Sequence, residues 1–269
     1  MTSVRVGCDI GGTFTDLVLV DDDAGTTHVS KVPSTPDDFT RGVMAGLEAI
    51  LRSAGRAPEQ VTFLVHSTTV AINTLIERTG SRVGLLTTEG FRDVLEIGRA
   101  SRQDEYDFFQ VRPEPLVPRW LRLTVRERID HVGHELVPLD REGVRAAAAA
   151  LEAEDVEAIA ITFLHAYVNP VHEQQAAEVL RERLPGVPLS LSSEVNPIHR
   201  EYERTSTTVV DAYVGPRVGR YLDRLEGLLR ARGFRCPLHV VQGSGGVMTA
   251  AAARARPVQV LMAGPAAGT

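Results

Sequence analysis

The stretch "CDIGGTFTDLVLVDDDAG", residues 8–25, decides how the rest of the chain is read. Gly11 and Gly12 separate two runs rich in branched apolar residues, "VRVGC" at 4–8 and "LVLV" at 17–20. Such runs favour strands, and a glycine pair favours a tight turn between them. The acidic "DDDAGT" makes a second turn before the alternating "THVSKV", so a three-stranded meander is expected. A P-loop or a dinucleotide fingerprint places a helix directly after its glycines, and the strand that follows here argues against both.

Gly11 and Gly12 would let backbone N–H groups approach an anion that a side chain would block, and Thr13 and Thr15 add hydroxyl donors. Asp9, at the strand end, suits a magnesium ion held through water. Magnesium keeps several waters and is typically shared between a carboxylate and phosphate oxygens. A tight hairpin with polar turn residues accounts for the same pattern, and spacing alone does not separate the two readings.

The remaining composition narrows the classes. With 269 residues, 43% of them hydrophobic, the chain can bury one large core or two modest ones. Its apolar runs, such as "AIAITF" at 158–163, fall far below the ~20 residues of a membrane helix. The start of the sequence shows no signal-peptide pattern, so a cytoplasmic protein without a membrane partner is expected. A net charge of -6 and 5% aromatic residues supply neither the basic stripe nor the stacking residues of a nucleic-acid binder. Cys8 and Cys236, the only cysteines, sit beside apolar residues and read as small core residues. Lys31 is the only lysine, so a phosphate site must use metal, backbone N–H groups, hydroxyls or arginine.

Further along, Thr35 can cap a helix with Pro36 at its first position, Asp37 and Asp38 at its positive end and Gly55 as its stop. Phe39, Val43, Leu47, Ile50 and Leu51 form its apolar stripe. "VTFLVH" reads as a strand running into a helix, "STTVAINTLIERTG", closed by Gly80, and "RVGLLTT" as the next strand. Residues 98–139 are irregular and proline-rich, with a hairpin turning at Val132-Gly133, and suggest an insertion or subdomain. A helix at 140–153, strand "VEAIAITFL", a helix opened by Asn169-Pro170 and strand "VPLSLSS" restore the alternation. Two helical stretches separated by Gly215-Pro216 follow, then strand "LHVVQ" and the turn "GSGG".

Other candidate groups are scattered along the chain. His66 ends a strand, and Ser67, Thr68 and Thr69 open a helix, where N–H groups and hydroxyls could meet an anion or a substrate carbonyl; N-capping uses the same residues. Asn73 lies one turn on. Arg99 and Arg102 could grip a carboxylate or sit in a solvated loop, Glu203 and Arg204 read as an internal ion pair, and His131, His134, His165 and His172 read as structural or solvated.

"DIGGTFTD" resembles the first phosphate motif of the actin, sugar-kinase and heat-shock-chaperone ATPase superfamily. More narrowly, the chain is similar to the N-terminal region of the hydantoinase A, 5-oxoprolinase and acetone carboxylase β-subunit family. "HSTTVAINTLIERTG", "TTEGFRDVLEIGR", "RPEPLVP", "FLHAYVNPVHE", "REYERTSTTVVDAYVGP", "GSGGVM" and "GPAAG" carry that likeness in order across nearly the whole sequence. Ser67 departs from it, standing where the family commonly has glycine.

The resemblance implies an α/β fold: a ribonuclease-H-like, actin/sugar-kinase-type mixed-sheet ATPase lobe with an inserted subdomain, truncated before the second lobe is complete. Residues 1–192 would be the N-terminal region with the first phosphate hairpin, and 193–269 the start of the central domain. It implies ATP and Mg2+ as cofactors, with Asp9 as catalytic and metal-binding residue and Gly11, Gly12, Thr13 and Thr15 on the phosphates. Asp16 would brace the turn, and His66, Thr68, Thr69 and Asn73 would face substrate. The implied function is the N-terminal part of a subunit that phosphorylates a cyclic amide, of hydantoin or 5-oxoproline type, before ring opening, alongside a hydantoinase B-type subunit. An acetone-carboxylase-like or other phosphorylating subunit, and a non-catalytic half-protein or nucleotide-binding module, are the alternatives.

Overall fold

The computed structural model describes residues 3–100, 106, 107, 109 and 113–267. Alternation builds the first strands: β1 (Val4–Ile10) buries Val4, Val6, Cys8 and Ile10, and β2 (Phe14–Asp21) buries Thr15, Leu17, Leu19 and Asp21. They pair antiparallel, Ile10 opposite Thr15, and β3 (Thr26–Pro33) adds to β2 as the sheet edge. The expected meander is present.

Helix α1 (Phe39–Ala54) covers the buried face with Val43, Leu47, Ile50 and Leu51, while Phe39 is only half-buried. It presses close at Gly46, where a Cβ would stand 2.3 Å from Leu17 Cδ1. Its start differs from expectation. Asp38, not Thr35, is the N-cap, accepting from Thr40 N, because Asp38 N bonds to Thr35 O and folds 35–38 into a turn of its own. Proline suits that turn as well as it suits a first helical position. Gly55 closes α1 in the left-handed region, φ 63°, as expected.

β4 (Val61–Ser67) lies parallel to β1 and leads into α2 (Val70–Ile76). That helix stops before Gly80. Gly80 serves a different purpose: a Cβ there would stand 2.3 Å from the ring of Tyr213.

The chain divides into two compact units, Met1–Thr79 with Arg217–Thr269, and Gly80–Pro216. The second begins with β5 (Val83–Thr88), α3 (Val94–Ile97), β6 (Arg122–Val125), β7 (Arg128–Ile129) and β8 (Glu135–Val137). It continues with α4 (Arg141–Ala153), β9 (Ala158–Thr162), α5 (Val171–Arg183), β10 (Leu189–Leu191), α6 (Ser192–Val195) and the first half of α7 (Glu201–Ala231). Its sheet is parallel, in the order β10-β9-β5-β6, and every residue of β5 and β9 is buried, as sheets covered on both faces require. Within the described part of the irregular region, β6 is the edge strand of this sheet, and β7 and β8 form the expected hairpin with Gly133 at φ 97°.

Helix α7 corrects the reading of two helical stretches, for it runs unbroken through Pro216. An interior proline costs about 3 kcal/mol through one lost hydrogen bond and a clash with the preceding turn. Val209, Ala212, Tyr213 and Val214 before it, and Val218, Leu222, Leu225 and Leu229 after it, are buried. At about 1.5–3 kcal/mol for each large apolar side chain, that burial outweighs the break.

The first unit then resumes with β11 (Leu238–Val241), β12 (Val247–Thr249), α8 (Ala250–Ala255) and α9 (Ala263–Ala267). β11 joins β4 in parallel and β12 turns back antiparallel, so "GSGG" closes a hairpin. The finished sheet is mixed, in the order β12-β11-β4-β1-β2-β3. No helix among the described residues is long and apolar enough to cross a membrane.

Candidate functional site

The carboxyl ends of the parallel strands β1 and β4 carry the candidate residues. In register, Asp9 stands beside Ser67 of β4 on one side and Asp16 of β2 on the other, and Asp16 stands beside Lys31 of β3. Residues paired across neighbouring strands project from the same sheet face, so Ser67, Asp9, Asp16 and Lys31 form one polar row. Lys31 Nζ lies 3.1 Å from Asp16 Oδ1. Asp9 Oδ1 and Ser67 Oγ are both buried and have no hydrogen-bond partner. Opposed carboxylates repel each other across a strand pair, and a buried polar atom without a partner is costly. A cation or water-bound ion at Asp9 would satisfy both deficits.

The glycine turn is braced from one side and open on the other. Gly11 N donates to Phe14 O (2.9 Å), and Ser34 Oγ donates to Gly11 O (2.8 Å). Thr15 is fully buried and its hydroxyl bonds to Ser34 Oγ at 3.0 Å, so Thr15 holds the turn from behind. Gly12 and Thr13 are exposed at the tip, and a Cβ on Gly12 would meet nothing within 4 Å. That leaves backbone beside Asp9 open to a bulky anion.

His66 turns to the opposite face, beside Cys8. Its Nε2 lies 2.8 Å from the hydroxyl of Tyr221 on α7 and its Nδ1 3.3 Å from the Cys8 carbonyl. A carbonyl only accepts, so Nδ1 carries the proton and Nε2 accepts from Tyr221. Burial lowers the His66 pKa from 6.5 to about 4, leaving the ring neutral. Burial also raises the Cys8 thiol far above its ordinary range, which makes it an inert core group.

Thr68 Oγ1 accepts from Val70 N (3.2 Å), and Asn73 Nδ2 donates to Thr69 Oγ1 (3.4 Å) at the start of α2. Asn73 lines a cleft of about 560 Å3 within the first unit, shared with Gly12 of the turn and with Arg217, Arg220, Tyr221 and Arg224 of α7. Arg224 pairs with Asp38 at 2.5 Å, and Arg217 donates to Thr79 O at 3.1 Å. The structure thus brings the hairpin residues and Asn73 to one unit, with His66 reaching the cleft only through Tyr221.

Residues 5–184 match the family model described as hydantoinase/oxoprolinase N-terminal region, and residues 204–269 match that described as hydantoinase/oxoprolinase. The chain belongs to the hydantoinase/oxoprolinase family. It is 41% identical over 268 residues to the caprolactamase subunit alpha of Pseudomonas jessenii, covering 97% of this chain and 38% of that protein. The crystal structure of the ATP-dependent caprolactamase from the same organism superposes with a TM-score of 0.90 at 41% identity, over 97% of this chain and 39% of that one. A nucleotide-free acetone carboxylase structure, from work on ATP-dependent acetone carboxylation, gives a TM-score of 0.88 at 30% identity, over 100% of this chain and 40% of that one. The chain therefore spans about two fifths of the length of these relatives.

In this hydantoinase/oxoprolinase chain the remaining candidates are held within the second unit. Arg99 is ion-paired with Glu203, and Arg102 lies outside the described residues. Arg204 does not pair with Glu203, because adjacent helical residues point apart. Its buried guanidinium donates to Phe163 O, Ile198 O and Ser192 Oγ. Glu173, fully buried and with its pKa raised by that burial, accepts from Phe163 N, Ser192 Oγ, Ser193 N and Ser193 Oγ. His172 sits between Glu127 (2.7 Å) and Glu135 (2.9 Å), His165 Nδ1 lies 2.8 Å from Ile129 O, and His134 is exposed beside Asp130.

Three residues of the site region carried no motif signal. Ser34 and Tyr221 gain their places only from long-range pairing, Tyr221 lying 155 positions from His66. Arg220 shares a helix face with Arg217, Tyr221 and Arg224, a spacing legible in the sequence once a single helix is assumed there.

Proposed function

We propose that this chain supplies the nucleotide-binding hairpin of an ATP-dependent cyclic amidohydrolase of hydantoinase or 5-oxoprolinase type. The observation that carries this reading is the unpartnered Asp9 Oδ1 at the end of β1, beside an open glycine turn. The donor set fits magnesium. A carboxylate at a strand end suits a hydrated ion shared with phosphate oxygens, and among the described residues no group of three or more His, Cys, Asp or Glu forms a cage of its own. Asp9 would hold the ion, aided by the charge of Asp16, and the ion would neutralise developing phosphate charge. Backbone at Gly11 and Gly12, with Thr13, would take phosphate oxygens, while Thr15 keeps the turn in shape.

A resonance-stabilised amide is a poor electrophile. In the proposed reaction the ring amide oxygen takes the terminal phosphoryl group of ATP as the bond to ADP breaks. Water then adds at the activated carbon, and the ring C–N bond breaks as nitrogen takes up a proton. A second water hydrolyses the acyl phosphate to carboxylate and phosphate. The cleft beside Gly12 would admit the ring amide, with Asn73 and the Tyr221 hydroxyl as polar contacts and His66 steadying Tyr221, while Thr68 and Thr69 lie outside its lining and would act only by holding Val70 and Asn73 at the start of α2. A hydantoinase B-type subunit would complete the enzyme, which would act in the cytoplasm.

Phosphate release by the full-length protein with its partner, measured with 5-oxoproline, hydantoin, caprolactam, or acetone plus bicarbonate, tests this. At least one ring amide should stimulate ATP consumption, and Asp9→Asn should abolish it. Stimulation by acetone and bicarbonate alone would point instead to carboxylation, and stimulation by no ring amide would defeat the amidohydrolase reading.

A further inference from the structure

We propose that Ser67 is a positioning residue of the Asp9 site, its hydroxyl holding a water of the hydrated cation that Asp9 binds. The inference rests on the reading of Asp9 as the cation-binding carboxylate. Ser67 is the last residue of β4, is 2% exposed, and has no partner for Oγ. Its neighbours behave otherwise: Thr68 Oγ1 accepts from Val70 N, Thr69 Oγ1 accepts from Asn73 Nδ2, and Thr15 Oγ1 bonds to Ser34. A hydroxyl at a strand end ordinarily finds a nearby backbone group, so one left without a partner under near-complete burial points to a missing ligand.

The register fixes where that ligand lies. Ser67 and Asp9 are paired on adjacent parallel strands, so their side chains leave the same face of the sheet about 4.8 Å apart. The two orphan oxygens make no bond to each other. With the two side chains on neighbouring strands and no bond between their oxygens, a water between them would serve both. A water on such a cation could donate two hydrogen bonds, one of which the Asp9 carboxylate would accept and the other Ser67 Oγ. The Ser67 proton is then directed away from the carboxylate, toward a second water or a phosphate oxygen. His66, next in sequence, leaves by the opposite face toward Tyr221, so a change at Ser67 leaves that contact intact.

The test uses Mn2+ as the probe, titrated by electron paramagnetic resonance into the full chain with ADP present, for the natural protein, Ser67→Ala and Asp9→Asn. Ser67→Ala is expected to weaken Mn2+ binding by about tenfold, the usual loss for an outer-shell partner. The Tm without ligand is expected to stay unchanged or rise, because an unmet hydroxyl has been removed. Unchanged Mn2+ affinity in Ser67→Ala, with affinity lost in Asp9→Asn, overturns the inference while the reading of Asp9 stands. A lower ligand-free Tm in Ser67→Ala also overturns it, by making the hydroxyl structural. Mn2+ binding that is absent, or indifferent to Asp9→Asn, defeats the reading of Asp9 and this inference with it.

Discussion

Replacing His66 with glutamine should remove a specific pH-dependent component of stability. His66 is 1% exposed, and burial lowers its pKa from 6.5 to about 4. Between those values the unfolded chain binds a proton that the folded chain does not, so stability falls as pH drops from 6.5 toward 4. A depression of that size corresponds to roughly 3 kcal/mol, lost in full once the lower value is passed. Glutamine should cost about 1 kcal/mol at neutral pH, for the Tyr221 and Cys8 contacts. The assay is urea unfolding at half-unit steps from pH 7 to pH 4 for both proteins, followed by circular dichroism. Carboxylates distant from position 66 titrate alike in both and cancel in the difference. The gap between the proteins should narrow and then invert as pH falls. A pH-independent gap would refute the claim that His66 is held neutral by burial.

Three further outcomes follow from the packing and the site. Gly46→Ala puts a methyl group 2.3 Å from Leu17 Cδ1 and should cost about 1–3 kcal/mol by lifting α1 from the sheet, readable in thermal denaturation. Arg204→Ala strips donors from Phe163 O, Ile198 O and Ser192 Oγ and should destabilise by at least about 2 kcal/mol. Arg204→Lys, with fewer donors, should recover only part of that loss in the same measurement. Asp9→Asn relieves the opposed carboxylates of Asp9 and Asp16, so its Tm without nucleotide should match or exceed that of the natural protein. Added Mg-ATP should raise the Tm of the natural protein and leave the Asp9→Asn variant unmoved.

Local chemistry wrote much of the first unit plainly. The meander at 4–33, the apolar stripe of α1 and its stop at Gly55 depend on neighbouring residues alone, and all three are present. Thr-Pro-Asp-Asp at 35–38 fits both a helix start and a turn, and a single bond from Asp38 N to Thr35 O decides between them. Gly215-Pro216 reads locally as a break, and only burial along both halves of α7 reverses it. Gly80 is shaped by Tyr213, a partner that no window of neighbouring residues contains. At the candidate site the glycine turn and Asp9 could be read from spacing and resemblance. The row from Ser67 to Lys31 required the strand register, which the sequence does not print.

That row ends in a chemical handle. Lys31 carries the only side-chain amine in the protein, its side chain is 57% exposed on the edge strand, and it bonds to Asp16, one strand away from Asp9. An amine-acylating reagent therefore has one side chain to label in this sequence besides the terminal α-amine, and a peptide map tells the two apart; that side chain lies next to the proposed seat of the nucleotide. Its labelling rate becomes a single-position reporter of whether the neighbouring charges are occupied, obtained without introducing a foreign residue.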